Sequence, residues 1–131
     1  MGALSGLNIL DFTTLLPGPF ATMQLADMGA NVISVASPSR PDIVLDQYAL
    51  IPGTDVTSTR AWILRNKRNL ALNLKHPEAK ELIYKLVKKY DIVVEQFRPG
   101  VMDKLGLGYE KLREINPRVI FCSIKIGRAH V

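Results

Sequence analysis

Apolar positions along the chain follow two alternating periods. NILDFT (8–13), NVISVAS (31–37), DIVVEQF (91–97) and VIFCSI (119–124) are short apolar, β-rich runs bounded by turn residues, and they predict buried strands. NLALNL (69–74) alternates strictly and predicts a fifth. Between these runs the period lengthens. Ala79, Leu82, Ile83, Leu86, Val87 and Tyr90 recur at three- and four-residue steps, while Glu78, Lys80, Glu81, Lys85, Lys88 and Lys89 take the opposite face. That is an amphipathic helix with Pro77 at its first position and His76 as its cap. Its acids come early and its lysines late, as the helix dipole favours.

The other helices are read more coarsely. LLPGP (15–19) breaks the first strand, and FATMQLADM (20–28) suits a mostly buried helix ended by Gly29. Short helices are expected at Arg60–Leu64 and at YEKLREIN (109–116), with a helical turn in VMDKLGLG. Residues 38–58 are rich in Pro, Ser, Asp and Thr and read as a long loop with a helical turn around Ile43–Tyr48. Strand, helix, glycine, strand is a βαβ unit, so the strands are parallel with right-handed crossovers. The whole alternation predicts an α/β sheet covered by helices on both faces.

Composition narrows the setting. The 131 residues are enough for one compact domain, and 47% hydrophobic with 22% charged residues is ordinary for a globular chain. No apolar run reaches the roughly 18 residues a membrane span needs. The N-terminus has no basic region leading a long apolar stretch, so it does not read as a secretory signal. One cysteine, Cys122, excludes a disulfide framework and a multi-cysteine metal site, and a reducing, cytoplasmic setting is expected. Cys122 itself, in an apolar strand, reads as a buried small hydrophobe.

Charge is uneven. Residues 1–59 hold five acids and one base, a net −4, and residues 60–131 hold sixteen bases and seven acids, a net +9. That asymmetry suits either an anionic partner or a solvated face. The sharpest concentration is LRNKRNLALNLKHPEA (64–79), where Arg65, Lys67 and Arg68 precede the alternating strand. Three readings are open for these cations: a solvated strand entry, a nucleic-acid patch, or one wall of a phosphate site. Nucleic acid is disfavoured because no aromatics interleave with the bases and no helix carries a basic stripe. LPGP lacks G-x-G-x-x-G and is not a phosphate-binding glycine loop. Trp62 and Tyr84 need no role beyond packing.

Three stretches together resemble the N-terminal part of the family III CoA-transferases, which also contain the α-methylacyl-CoA racemases. They are LSGLNILDFTTLLPGPFATMQLADMGANVISV (4–35), RNKRNLALNLKHPEA (65–79), and DIVVEQFRPGVMDKLGLGYEKLREINPRVIFCSI (91–124), within which EQFRPGVMDKLGLGYE is the most specific string. PGPF and SPSRPD look closer to the racemase branch. The resemblance implies a Rossmann-like parallel sheet with flanking helices, truncated here to residues 1–125 of a larger CoA-binding domain. It implies an acyl-CoA thioester as substrate, no metal, and an interlocked homodimer in the full-length parent. It places Leu72, Asn73, Leu74 and Lys75 along the CoA adenine and phosphates. Gln96, Phe97 and Arg98 also fall at the CoA site, with Lys104 where the family often has an arginine and Leu16 and Pro17 near the thioester. With this resemblance, Arg65, Lys67 and Arg68 are expected to help hold the anionic cofactor or to serve a dimer contact.

The chain departs from the family pattern after its second strand. Ala36 and Ser37 stand where an acid and an arginine are usual, and Arg40 is the nearest replacement. The family's catalytic residues, an aspartate for transfer or a histidine and an aspartate for racemisation, fall beyond residue 125. Asp91, Glu95 and Asp103 are not assigned to that role. The tail IGRAHV (126–131) resembles the translation of a sequencing adaptor and is expected to be foreign, leaving His130 without chemistry. Two functions follow as expectations: the CoA-binding part of a racemase or CoA-transferring enzyme, inactive by itself, or a non-catalytic CoA- or anion-binding module.

Overall fold

A computed structural model describes residues 1–125. Ten elements follow in the order β1 (Asn8–Asp11), α1 (Pro17–Asp27), β2 (Asn31–Ala36), α2 (Ser58–Ile63), β3 (Lys67–Ala71), α3 (Pro77–Val87), β4 (Ile92–Glu95), α4 (Val101–Lys104), α5 (Tyr109–Ile115) and β5 (Ile120–Ser123). The five strands form one parallel sheet in the order β3-β2-β1-β4-β5. The expected α/β sheet is therefore present. The expected foreign tail, 126–131 with His130, lies outside the described residues.

Side-chain alternation along the strands sends alternate residues into two cores. Leu10, Phe12, Val35 and Val93 meet Ile83 and Val87 of α3 and Leu112 of α5 on one face. Ile9, Val32 and Val94 meet Ala26 and Ala30 at the end of α1 on the other. A third cluster, Met23, Leu45 and Ile63, joins α1 to α2 and to the long loop. That loop is tied down rather than free. Asp42 accepts from the Leu15 N–H at 2.9 Å, and Leu45, 7% exposed, is clamped by the Thr57 hydroxyl.

The helix ends obey local chemistry. His76 caps α3 by accepting the Glu78 N–H at Nδ1, 3.3 Å away. Gly29, at φ +103°, ends α1, with the Ala30 N–H reaching back to the Leu25 carbonyl at 3.1 Å. A side chain there would face both that backbone conformation and Gly2 Cα at 3.0 Å. α1 begins earlier than the pattern predicts, because Pro17 and Pro19 occupy its first turn, where no N–H is needed.

Three further expectations are corrected. β3 starts at Lys67, two residues before the alternating run, and ends at Ala71. Its last ladder bond is Leu72 N–H to Ala36 O at 2.9 Å, and Asn73 then turns the chain by accepting the Lys75 N–H at 3.2 Å. Cys122 is exposed, not buried: β5 is an edge strand, and nothing among the described residues covers its α1-side face. The cations Arg65, Lys67 and Arg68 form no wall of an anion site. Arg65 forks onto Asp27, with Nη2 at 2.6 Å from Oδ2, and holds that carboxyl below the ordinary aspartate value. Arg68 donates to Asn31 Oδ1 at 2.7 Å. The ammonium of Lys67 is buried against Asp11 Oδ2 at 3.3 Å, the Thr22 hydroxyl at 2.8 Å and the Pro19 carbonyl at 2.8 Å. For Arg65 and Arg68 the physical reason is position: both sit at or just before the amino end of β3, whereas anion crevices of parallel sheets open at the carboxyl ends. For Lys67 it is pairing: its ammonium reaches the carboxyl end of β1 but is neutralised there by Asp11.

Candidate functional site

Strand order locates the site. The chain runs outward from β1 through β2 to β3, then crosses back to lay β4 on the other side of β1. The connections that leave the carboxyl ends of the paired strands β1 and β4 therefore run in opposite directions and leave a crevice between them. The β1–α1 turn forms one wall and the residues after β4 form the other.

The first wall is built on Asp11, which is fully buried. Its carboxylate accepts the Thr13 N–H at 2.9 Å and the hydroxyls of Thr13 and Thr22, in addition to the Lys67 ammonium. This holds the turn in a shape that puts Leu15 at φ +64°, a left-handed conformation that a leucine adopts only under constraint. Burial holds the Lys67 ammonium below the ordinary lysine pKa, with the Asp11 carboxylate opposing that shift.

Gln96 joins the two walls. Its Oε1 accepts the Gly18 N–H at 3.0 Å, and its Nε2 donates to the Thr14 carbonyl. Gly18 is required for this closeness: an added Cβ would stand 2.2 Å from Thr13 Cβ and 2.4 Å from Gln96 Oε1. Between the walls lies a cleft of about 260 Å³ lined by Pro17, Gln96, Phe97, Arg98, Pro99 and, from beyond β5, Ile124 and Lys125. A second cleft of about 430 Å³ opens on the α4–α5 side and shares Arg98, Pro99 and Lys125 with the first.

Four of the ten residues singled out from the sequence thus meet at one cleft: Pro17, Gln96, Phe97 and Arg98. Leu16 precedes Pro17 and is 45% exposed. Arg98 is exposed and, among the described residues, makes no ion pair, so its guanidinium is available to an anion. The amide of Gln96 is already used at both ends, which makes it a brace for the turn. Leu72, Asn73, Leu74 and Lys75 lie past the end of β3, three strand steps from β4 and so roughly 14 Å away at normal strand spacing. Leu72 and Leu74 pack on the core, as does Phe97, while Lys75 is exposed. Lys104 is exposed on α4 and lines neither cleft. A ligand touching both LNLK and QFR must be long and lie along the carboxyl edge of the sheet.

Two residues escaped the sequence reading. Glu95, 2% exposed, ends β4, and Lys125 lies beyond β5 with its ammonium 2.6 Å from Glu95 Oε1. Their signal was present: an acid closing one apolar run and a lysine closing the next, on strands that pair in parallel. No cluster of His, Cys, Asp and Glu able to hold a metal occurs among the described residues.

Fold and crevice define the class: a parallel α/β domain with a switch-point cleft bearing an arginine that makes no ion pair among the described residues. Residues 4–126 match the model of CoA-transferase family III, and the chain belongs to that family. It is 44% identical over 123 residues to a formyl-CoA:oxalate CoA-transferase of Bradyrhizobium diazoefficiens, covering 94% of this chain and 29% of that protein. An acyl-CoA transferase of Fusarium pseudograminearum is 40% identical over 130 residues, with 94% of this chain and 28% of that protein covered. Among solved structures, Rv3272 from Mycobacterium tuberculosis superposes with a TM-score of 0.84 at 34% identity, over 95% of this chain and 34% of that one. A CAIB/BAIF family protein from Brucella suis gives 0.83 at 34% identity, over 93% and 33%. The chain therefore spans less than a third of the length of the curated relatives it matches.

Proposed function

We propose that residues 1–125 are the N-terminal part of a CoA-binding domain, and that they hold an acyl-CoA thioester for an enzyme that moves CoA from one carboxylic acid to another. The observation that carries this reading is Arg98. It is a cation without an ion pair among the described residues, at the switch-point crevice of a chain belonging to a CoA-transferase family. A guanidinium fork suits phosphate oxygens, and a ligand running from Arg98 toward Lys75 would pass three strand ends, which demands an extended, polyanionic molecule. Pro17 and Leu16 would face its acyl end, and Lys75 and Lys104 its phosphates. Transfer is preferred to racemisation because similar relatives bear the name of CoA-transferases. The nucleophile that transfer requires is assigned outside residues 1–125.

Calorimetric titration with CoA tests the binding step. A saturable heat that weakens with added salt is expected, and Arg98→Met should weaken it by about tenfold or more, as loss of a charge-assisted phosphate contact does. No heat at millimolar CoA refutes the reading. A second reading, a non-catalytic CoA- or anion-binding module, is favoured by one observation. Both buried carboxylates, Asp11 and Glu95, are engaged by internal partners, a lysine among them in each case. It predicts CoA binding with no acyl or CoA transfer by this chain.

A further inference from the structure

We propose that Glu95 and Lys125 are a positioning pair. They fix the Phe97 peptide and so preset the Arg98 guanidinium on the ridge between the two clefts. The proposal rests on the CoA reading of this crevice.

Glu95 Oε2 accepts the Phe97 N–H at 2.8 Å. Lys125 Nζ donates to the Phe97 carbonyl at 2.5 Å and to Glu95 Oε1 at 2.6 Å. Ser123 Oγ, 2.5 Å from the same Oε1, completes the set. Both peptide planes that flank the Phe97 α-carbon are thereby pinned, which fixes its two soft dihedrals and the direction in which Arg98 leaves the chain. Gln96 pins the preceding residue to the β1–α1 turn. Three consecutive residues, Gln96, Phe97 and Arg98, therefore stand at the crevice, with Gln96 held by its side chain and both Phe97 peptide planes held by Glu95 and Lys125.

Sheet register explains why these two side chains meet. Glu95 pairs with Ser123 across β4 and β5. In a parallel pair, register partners share a face, and Lys125 lies two residues beyond Ser123 on that same face. Glu95 is 3% exposed in its side chain and Lys125 30%, so the carboxylate is desolvated and needs its cation. This pairing also sets the roles apart. Lys125 lines both clefts, with its charge paired to Glu95 and two of its three donors on Glu95 and Phe97. Arg98 lines both clefts with no ion pair among the described residues. The pair thus acts on the ligand through Arg98, as preorganisation that spares the ligand the cost of ordering the segment.

The test uses the 131-residue chain, CoA as the probe, calorimetry for affinity, and amide exchange by NMR at the Phe97 N–H. Lys125→Met is expected to weaken CoA binding several-fold to about tenfold, and no more than Arg98→Met does, since the pair acts only through that guanidinium. It should also lift the exchange protection of the Phe97 amide. Lys125→Arg, which can still reach both acceptors, should restore most of each. In an Arg98→Met background, Lys125→Met should change the affinity less than about twofold, because the group it positions is gone. Losing Lys125 alone leaves a buried carboxylate unpaired, so Glu95→Gln/Lys125→Met serves where the single variant fails to fold. It should reproduce the same coupling to Arg98. Additive losses in the Arg98→Met background would overturn the proposal, since Lys125 would then touch the ligand itself. A Phe97 amide that stays protected in Lys125→Met would overturn it too. The unsubstituted chain failing to bind CoA is a separate result: it sinks the cofactor reading, and the positioning role with it, whatever the exchange data show.

Discussion

Lys67→Met is the most exacting check on the wall of the crevice that Asp11 builds. The two side chains are 0% and 1% exposed and 3.3 Å apart, so neither charge has water to fall back on. Methionine keeps the stem volume and removes the ammonium. Deleting one member of a buried ion pair ordinarily costs about 3–5 kcal/mol, because the other charge is left uncompensated. Here Asp11 keeps the Thr13 N–H and the hydroxyls of Thr13 and Thr22, which lowers the expectation to about 3 kcal/mol. Thr22 Oγ1 and the Pro19 carbonyl each lose the Lys67 donor, but both sit in the first turns of α1 and keep other contacts. Adding Asp11→Asn should recover part of the loss, since it removes the orphaned charge. Urea unfolding at neutral pH, with the slope m unchanged, reads the difference directly from the midpoint. A midpoint shift worth less than about 0.5 kcal/mol would refute the argument, by showing that the ammonium is hydrated in solution.

Other predictions follow from the same contacts. The Lys67 ammonium has its folded pKa below the ordinary 10.5, so between the two values the unfolded chain binds more protons than the folded one. Stability should therefore rise with pH through that window, and Lys67→Met should flatten the rise in urea midpoints measured as the pH approaches 10.5 from below. Asp27 has its folded pKa below 3.8, chiefly through the Arg65 hydrogen bond. The stability this gives is present above 3.8 and lost as pH falls below it, so Asp27→Asn should make acid unfolding shallower, followed by circular dichroism. Gly18→Ala must fit a Cβ 2.2 Å from Thr13 Cβ. It should cost about 1–3 kcal/mol in thermal or urea unfolding and loosen Gln96 from the β1–α1 turn.

How much of this was legible in the sequence depends on which force decided each feature. The strands of the central sheet were readable because Ile9, Leu10, Val93 and Val94 are buried on both faces and leave continuous apolar runs. α3 was readable because its stripe and its His76 cap are local signals. β3 was misplaced by two residues because its first residue, Lys67, is a buried cation, and burial of a lysine depends on Asp11, 56 positions away. The role of the RNKR cluster failed for the same reason: charge type was visible, but partners were not. Of the cleft-lining residues, Pro17, Gln96, Phe97 and Arg98 had been singled out through the family's strings, while the Glu95–Lys125 contact needed the register of β4 against β5. Cys122 was misread because an apolar run does not reveal that its strand is an edge.

That edge has a consequence of its own. Parallel sheets normally have both faces covered, since their strands are apolar on both sides. On β5, Phe121 turns toward the α3–α5 core, but the opposite face carries Ile120, 59% exposed, and the exposed Cys122. The outer backbone groups of β5 are unpaired among the described residues, which makes this side a template for strand addition as well as an apolar surface. The chain should therefore self-associate reversibly as its concentration rises, through this side of the sheet. Ile120→Lys places a charge on the exposed face and at the edge, the device by which natural edge strands resist pairing. It should leave the urea midpoint nearly unchanged, because Ile120 is more than half exposed, and reduce association in sedimentation velocity by about tenfold. Maleimide labelling of Cys122 gives an independent reading. It should be fast in dilute solution and slow as concentration rises, and Ile120→Lys should keep it fast throughout. A monomer at high concentration with rapidly labelled Cys122 would show that an exposed parallel edge of this length is tolerated. Slow labelling in dilute solution would instead mean that the face is covered within the chain itself.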